Sequence, residues 1–276
     1  MHLTKKSVNG HNLAHGFTSK ELWFLFNQVA PVTVIGFSDP TLGFLREEKL
    51  ETARQEQNHL LTKHIIEVSP DFDIIVKEPV ASWLDIIAKS NHVLMLVCQD
   101  AKSPEKIYSF HLNNSKIIRL VSADIENYEI DETESLHIVQ KIAMAPLVKT
   151  VYLQREDEAI VLPNKILSAV YSHLENKQIP LARKVLGNFF KNEARLEFFI
   201  QALLEPFSRL SMIAFLQRDQ LNLSETIGFS VVAGSADLWL FKPTGKKYDF
   251  VQITTISKSY LEEMIQTTLR RLEALI

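Results

Sequence analysis

The chain has 276 residues, of which 46% are hydrophobic and 23% are charged, close to the averages of soluble globular proteins. These values exclude a disordered chain, a collagen and a disulfide scaffold as overall descriptions. With 30 basic and 33 acidic residues the formal net charge is −3, so charge alone draws the protein neither to nucleic acid nor to an anionic membrane.

The first elements are a polar tail and a capped helix. Residues 1–16 have no apolar face that could pack against the rest of the protein, and we expect a flexible tail there. No apolar run of a secretory signal follows, and no stretch approaches the roughly 20 apolar residues of a membrane span, so we expect a cytoplasmic protein. Thr18 and Glu21 have the spacing of a capping box and should begin a helix, with Leu22 and Leu25 on its apolar face.

The rest of the first half predicts a short strand at 32–35, a charged helix over 45–63 and a helix that begins at Pro79. Four strand-like runs follow. They cover residues 92–98, 106–112, 116–122 and 125–130. Asn113 and Asn114 favour a tight hairpin between the second and third runs, because asparagine tolerates a left-handed backbone.

A helix is then predicted from Asp131, because Glu134 follows at capping-box spacing. After this helix the second half repeats the order of helices, four strands and a final helix. Its predicted elements are a strand at 150–154, helices at 164–175, 180–190 and 193–205, strands at 211–216, 226–233, 236–242 and 247–254, and a helix from Ser259. The turn at Gly234 takes the place that Asn113 has in the first half.

The repeated order indicates an internal duplication. We predict an α+β fold of two pseudo-repeated halves, residues 17–147 and 148–276, each an antiparallel sheet flanked by helices. Edge-to-edge pairing of the two sheets would join them into one larger sheet and would cover strand edges that are otherwise open to aggregation.

The sequence contains few candidate catalytic, nucleotide-binding or metal-binding residues. Cys98 is the only cysteine and lies in an apolar run, which favours a buried thiol in a reducing compartment over a nucleophile. The chain has no glycine-rich nucleotide loop, no nucleophile elbow and no zinc-ligand spacing. Lys246 and Lys247 follow a glycine but lie between two predicted strands, so a plain hairpin is expected. We therefore predict a non-catalytic protein without a cofactor.

Two other functions remain open. His92, His111 and His137 lie in or near the first predicted sheet and would serve a metal-dependent hydrolase if they converged. A small-ligand binder with a pocket between sheet and helices is the third candidate. The carboxylates at 71–73 and 155–158 have the composition of solvated loops, and we do not expect a metal there.

One strand of the second half carries candidate partner contacts. Leu238 and Leu240 share one face, and the two aromatic residues between and after them share the other. If the leucines face the helices, the aromatic side chains face solvent or a partner. The turn at 243–247 that follows would lie beside them and could also contact the partner. The candidate contacts are Trp239, Phe241, Thr244 and Lys246. The alternative is ordinary sheet packing, because aromatic residues favour strands.

The order of elements and the segments 17–23 and 84–89 resemble the EspG-type chaperones of type VII secretion. The resemblance implies a cytosolic protein that binds the tip of a helical-hairpin secretion substrate and keeps it soluble. Covering an exposed apolar tip would prevent its aggregation. From the charge balance and the short apolar runs we expect neither nucleic acid nor membrane insertion, and a homodimer is left open.

Overall fold

The computed structural model describes residues 14–29, 33–113, 116–122, 124, 126–147, 159–219, 222–245 and 248–275. The helices are α1 (Ser19–Val29), α2 (Arg46–Thr62), α3 (Val80–Lys89), α4 (His137–Met144), α5 (Asn164–Glu175), α6 (Ile179–Leu186), α7 (Glu193–Leu204) and α8 (Lys258–Glu273), with a short 3₁₀ turn at Ala145–Leu147. None of these helices is both long and apolar enough to cross a membrane.

The strands form one large antiparallel sheet and one small hairpin. They are β1 (His15–Thr18), β2 (Ile66–Val68), β3 (Ile74–Val76), β4 (His92–Asp100), β5 (Lys106–Asn113), β6 (Lys116–Ser122), β7 (Asn127–Thr133), β8 (Ile160–Pro163), β9 (Ser208–Asp219), β10 (Asn222–Ala233), β11 (Leu238–Thr244) and β12 (Phe250–Ile256). The large sheet has the order β1-β7-β6-β5-β4-β9-β10-β11-β12-β8, and β2 pairs with β3. The predicted α+β class and the larger joined sheet are confirmed, whereas the duplication stays a prediction.

The chain divides into two compact units. The first contains residues up to Val93 together with Tyr108–Ser135, and the second contains Leu94–Ile107 together with Leu136–Leu275. In the first unit, α1 and α3 share a core with β6 and β7. The largest buried side chains of that core include Leu22, Leu25, Trp83, Leu84, Ile118 and Ile130.

The capping box predicted for α1 is confirmed. The backbone N–H of Thr18 donates to Glu21 Oε2 at 2.8 Å, and the N–H of Glu21 donates to Thr18 Oγ1 at 3.1 Å. Two backbone donors at the start of the helix are thereby satisfied, which is the purpose of this motif.

Two predictions in the first unit are wrong. Thr33 and Val34 are irregular and the next two residues form a turn, so no strand occupies the described part of 32–35. Asp131 does not begin a helix. It lies in β7, where its carboxylate accepts two hydrogen bonds from the guanidinium of Arg119 on β6. The helix begins at His137 instead.

In the second unit, helices cover both faces of the sheet. Helices α5, α6 and α7 form one core with side chains that alternate along β11 and β12, among them Trp239, Phe241 and Ile253. Helix α8 lies by the opposite face, towards which Ile227 and Phe229 of β10 point. Ser257 caps α8 by accepting a hydrogen bond from the N–H of Tyr260 at 3.1 Å, so the cap lies two residues before the predicted one. The segments 150–154 and 155–158 lie outside the described residues.

Candidate functional site

An apolar cleft of about 610 Å³ opens in the second unit between helix α5 and strands β9 to β11. Leu167 and Tyr171 of α5 form one wall. Ile213, Val232 and Phe241 on the sheet form the other. The volume falls in the range of small-ligand pockets, which are about 300–1,000 Å³. We call this feature the apolar cleft.

The structure separates the four predicted contact residues. Phe241 lines the apolar cleft and is 6% exposed. Trp239 is 1% exposed and packs against Phe199 with a centroid distance of 4.9 Å. Because both faces of β11 are covered, sheet packing accounts for the two aromatic residues here. Thr244 is half-buried at the end of the strand, and Lys246 lies outside the described residues. Their contact with a partner stays a prediction.

The assigned pairing of two neighbouring strands ends beside the apolar cleft. Strands β10 and β11 pair from Ala233↔Leu238 to Ser230↔Phe241 and no further among the described residues. Beyond that point β10 stays paired with β9, and β11 stays paired with β12 up to Thr244. The next hydrogen-bonded pair would join Gly228 to Pro243. Proline has no N–H to donate, so the ladder ends there.

The assigned register of β10 and β11 does not extend to Thr226–Phe229 of β10 and Lys242–Thr244 of β11, and we call this part of the sheet the β10–β11 opening. A second cleft of about 280 Å³ lies on the α8 side, and the two clefts share Ile227, Gly228, Phe229 and Lys242. Both clefts therefore reach the same segment of β10, one from each face of the sheet.

Tyr248 spans the mouth of the opening. Its hydroxyl donates to the backbone carbonyl of Thr226 across the gap at 3.4 Å, and its side chain is exposed. This long hydrogen bond connects the β11–β12 turn to β10.

The groups around the apolar cleft are suited to binding. Burial raises the pKa of the Tyr171 hydroxyl, and the positive charge of Arg209 opposes that shift in part, so the phenol is neutral at physiological pH. Asn164 and Lys242 add an amide and an ammonium group at the rim. Apolar walls with a few polar groups bind and orient a partner.

The sequence contained a signal for this site that the periodicity alone does not show. Glycine and proline weaken a strand interior; Gly228 lies within the predicted strand 226–233, and Pro243 directly follows the predicted strand 236–242. Glycine marks a close backbone approach and proline marks a strand edge. Together they locate the end of the β10–β11 ladder.

The three histidines of the hydrolase alternative do not form a metal site among the described residues. His111 is fully buried, and its two ring nitrogens lie 3.0 Å from Ser90 Oγ and 3.2 Å from Ser109 Oγ. Both nitrogens thus have protein partners. Cys98 is buried as predicted, and burial raises the pKa of its thiol to about 12, which leaves it protonated and unreactive.

Three other ligand atoms do converge, on Glu21, Glu56 and His59, within 4.8 Å of one another. A cation of the protein already lies there. The Lys63 ammonium is 2.7 Å from Glu21 Oε1, and the other oxygen of Glu21 accepts the capping hydrogen bond from Thr18. The group is an ion-paired helix cap.

Replacing Lys63 with methionine is expected to lower the free energy of unfolding of the first unit by about 1–2 kcal/mol, because the buried carboxylate of Glu21 loses its charge partner. Lys49→Met makes the same change at a lysine within α2 and serves as the control. It should lower the free energy of unfolding by less than about 0.5 kcal/mol. Hydrogen exchange of α1 at increasing urea measures both. Adding Glu21→Gln to Lys63→Met should recover part of the loss; equal costs for the two lysines would contradict this.

No family model matches the chain, and no curated protein matches it significantly in sequence. Among solved structures, the chain is similar to EspG5, a type VII secretion system chaperone of Mycobacterium tuberculosis, solved in complex with a PE25–PPE41 dimer. The TM-score is 0.60 at 12% sequence identity, over 96% of this chain and 97% of the other. The resemblance inferred from the sequence is thus confirmed for the fold: this chain folds as that chaperone does.

Proposed function

We propose that the protein is a non-catalytic chaperone or adaptor in the cytoplasm, which binds a secreted protein of paired helices and keeps it soluble. The apolar cleft carries the proposal, because it leaves apolar side chains of the second unit open to a partner. The fold supports it, since the similar EspG5 was solved in complex with a PE25–PPE41 dimer.

The physical basis is burial of apolar surface. A helical pair that exposes leucine-sized side chains at its tip aggregates in water, and burying one such side chain is favourable by roughly 1.5–3 kcal/mol. The apolar cleft has room for a few of them. Leu167, Tyr171 and Ile213 are each partly exposed in the free protein, so apolar surface remains on the chaperone for the substrate to cover.

The proposal is tested by co-expressing the full chain with each protein that a neighbouring gene encodes. Complexes are identified by size-exclusion chromatography, and their affinities are measured by calorimetry. Leu167→Glu places a charge in the apolar cleft and should weaken binding at least about tenfold, because the carboxylate must be desolvated in the complex.

Leu181→Glu is the matched control. Leu181 lies on α6, is 45% exposed and does not line the cleft, so this variant should bind as the unchanged protein does. Equal affinities of the two variants would contradict the proposed site. A failure of every helical protein to bind, together with a metabolite that raises Tm, would favour a small-ligand binder instead.

A further inference from the structure

We propose that the apolar cleft selects a substrate whose apolar tip carries a carboxylate, and that the ammonium group of Lys242 pairs with this carboxylate. The inference rests on the proposed function and deepens it, because it names the charge of the bound segment. The partner is a helical pair whose tip combines leucine-sized side chains with an aspartate or a glutamate.

The charge at the apolar cleft has one sign. Among the described residues that line it, Lys242 is the one charged side chain, and none is a carboxylate. The smaller cleft, which Lys242 also lines, adds Glu263 and Arg271. Arg271 has its own partner, since its Nη2 lies 3.0 Å from Glu225 Oε1. An occupant of the apolar cleft therefore meets a positive charge at the rim.

Lys242 is placed to meet a partner. It directly follows Phe241, whose side chain lines the apolar cleft, and its backbone is fixed in the ladder opposite Gln252 of β12. Its side chain is exposed and forms no ion pair within the described part of the chain. A lysine in water gains little from an exposed partner. A substrate that covers the cleft excludes water, and the same charge pair then becomes stronger.

A second cation lies behind the wall of the apolar cleft. Burial raises the pKa of the Tyr171 hydroxyl, and the positive charge of Arg209 opposes this shift, so the field of Arg209 reaches the wall. The Arg209 side chain is held by a hydrogen bond from Nη2 to the carbonyl of Leu203 at 3.3 Å. The whole chain has a formal net charge of −3. The positive charge is thus a local property of this site and favours an acidic occupant over a basic one.

This arrangement gives selectivity among helical partners that bury similar apolar area. An acidic tip is attracted by Lys242, whereas a lysine or an arginine at the same place faces a like charge that the complex would partly desolvate. Apolar burial supplies the affinity, and the charge decides which helical pair is accepted.

The probe is a phage-displayed library of one designed helical hairpin, in which the turn and the adjoining helix ends are randomised. The library is selected in parallel on the full chain and on its Lys242→Glu variant. We expect the unchanged protein to enrich aspartate and glutamate beside apolar residues. The variant should enrich lysine and arginine at the same positions, because the sign of the rim charge is reversed.

A double-mutant cycle measures the contact directly. Lys242→Met in the protein, or replacement of the selected acid by its amide in the hairpin, should each weaken binding about fivefold, and the two together should weaken it little further. Salt of about 1 M should remove most of this difference, because the Debye length falls to about 3 Å. Lys184→Met is the control, since Lys184 is exposed on α6 and does not line the cleft. It should bind as the unchanged protein does.

The inference is overturned if the unchanged protein and Lys242→Glu enrich the same residues, or if the cycle shows no coupling. These results differ from a failure of the proposed function. Hairpins that Leu167→Glu weakens but that are insensitive to Lys242 would keep the chaperone and remove its charge selectivity. If no hairpin is selected on the unchanged protein, the proposed helical partner is wrong and the pairing with Lys242 is rejected with it.

Discussion

Replacing Phe199 with alanine is expected to lower the free energy of unfolding of the second unit by about 4 kcal/mol. Phe199 is fully buried on α7 and lies among three aromatic rings. Its ring centroid is 4.9 Å from that of Trp239, 5.2 Å from Phe190 and 5.9 Å from Phe241. Truncation removes the apolar area and the edge contacts together, and it leaves a cavity that three large rings cannot fill by small movements.

Phe198→Ala is the control, because Phe198 is the next residue of the same helix and is 40% exposed. It should cost less than about 1 kcal/mol. Hydrogen-exchange mass spectrometry at increasing urea, with exchange measured on the peptides of β11, assigns the change to the second unit. Similar costs for Phe198→Ala and Phe199→Ala would show that the aromatic cluster does not fix the sheet against α7.

The Phe199 variant also connects stability to the candidate site. Phe241 lies between Phe199 and the apolar cleft, so the cleft wall is held in place by the aromatic cluster behind it. We expect Phe199→Ala to make the wall of the apolar cleft less well ordered even where the chain is still folded.

Local signals predicted local structure well. The capping box at Thr18 was identified because both of its partners lie within three residues of each other. Helix α5 has the predicted bounds, Asn164 to Glu175, because the apolar periodicity and the preceding Pro163 both act within one turn. Such features need no knowledge of the rest of the chain.

Predictions from the same local patterns were wrong or incomplete where residues distant in sequence determine the structure. Asp131 and Glu134 have the capping spacing, but Arg119 on the neighbouring strand binds the Asp131 carboxylate, and β7 continues through it. The faces of β11 gave a similar result. Alternation correctly separated Leu240 from Phe241, yet it could not show that helices lie on both sides of the strand. The strand pattern indicated Phe241 as a candidate contact, whereas the end of the β10–β11 ladder beside it depends on which residue lies opposite Pro243.

The turn before α2 shows how a glycine is fixed by a partner far along the chain. Gly36 has φ +86°, and a Cβ built on it would lie 2.5 Å from Ser109 Oγ. Ser109 in turn lies 3.2 Å from the buried His111 ring. A side chain at position 36 would displace a member of a buried polar network, and such networks are costly when partly satisfied.

Gly36→Ala is accordingly expected to lower the free energy of unfolding of the first unit by about 3 kcal/mol. A left-handed backbone costs roughly 1–2 kcal/mol for a residue with a Cβ, and the overlap with Ser109 adds a similar amount. Gly43→Ala separates the two causes, because Gly43 has φ +91° and its Cβ would meet nothing within 4 Å. That variant should cost about 1 kcal/mol.

Hydrogen exchange on the peptides of β5, measured at increasing urea, gives both free energies. Ser109→Gly in the Gly36→Ala background should recover the share that comes from the overlap, although alone it costs about 1 kcal/mol through the lost hydrogen bond to His111. Ser109→Gly is thus expected to destabilise the unchanged protein and to stabilise the Gly36→Ala variant. If the cost of Gly36→Ala came only from its backbone conformation, Ser109→Gly would destabilise both. Equal costs for Gly36→Ala and Gly43→Ala would likewise mean that Ser109 yields freely and that the His111 network does not fix the turn.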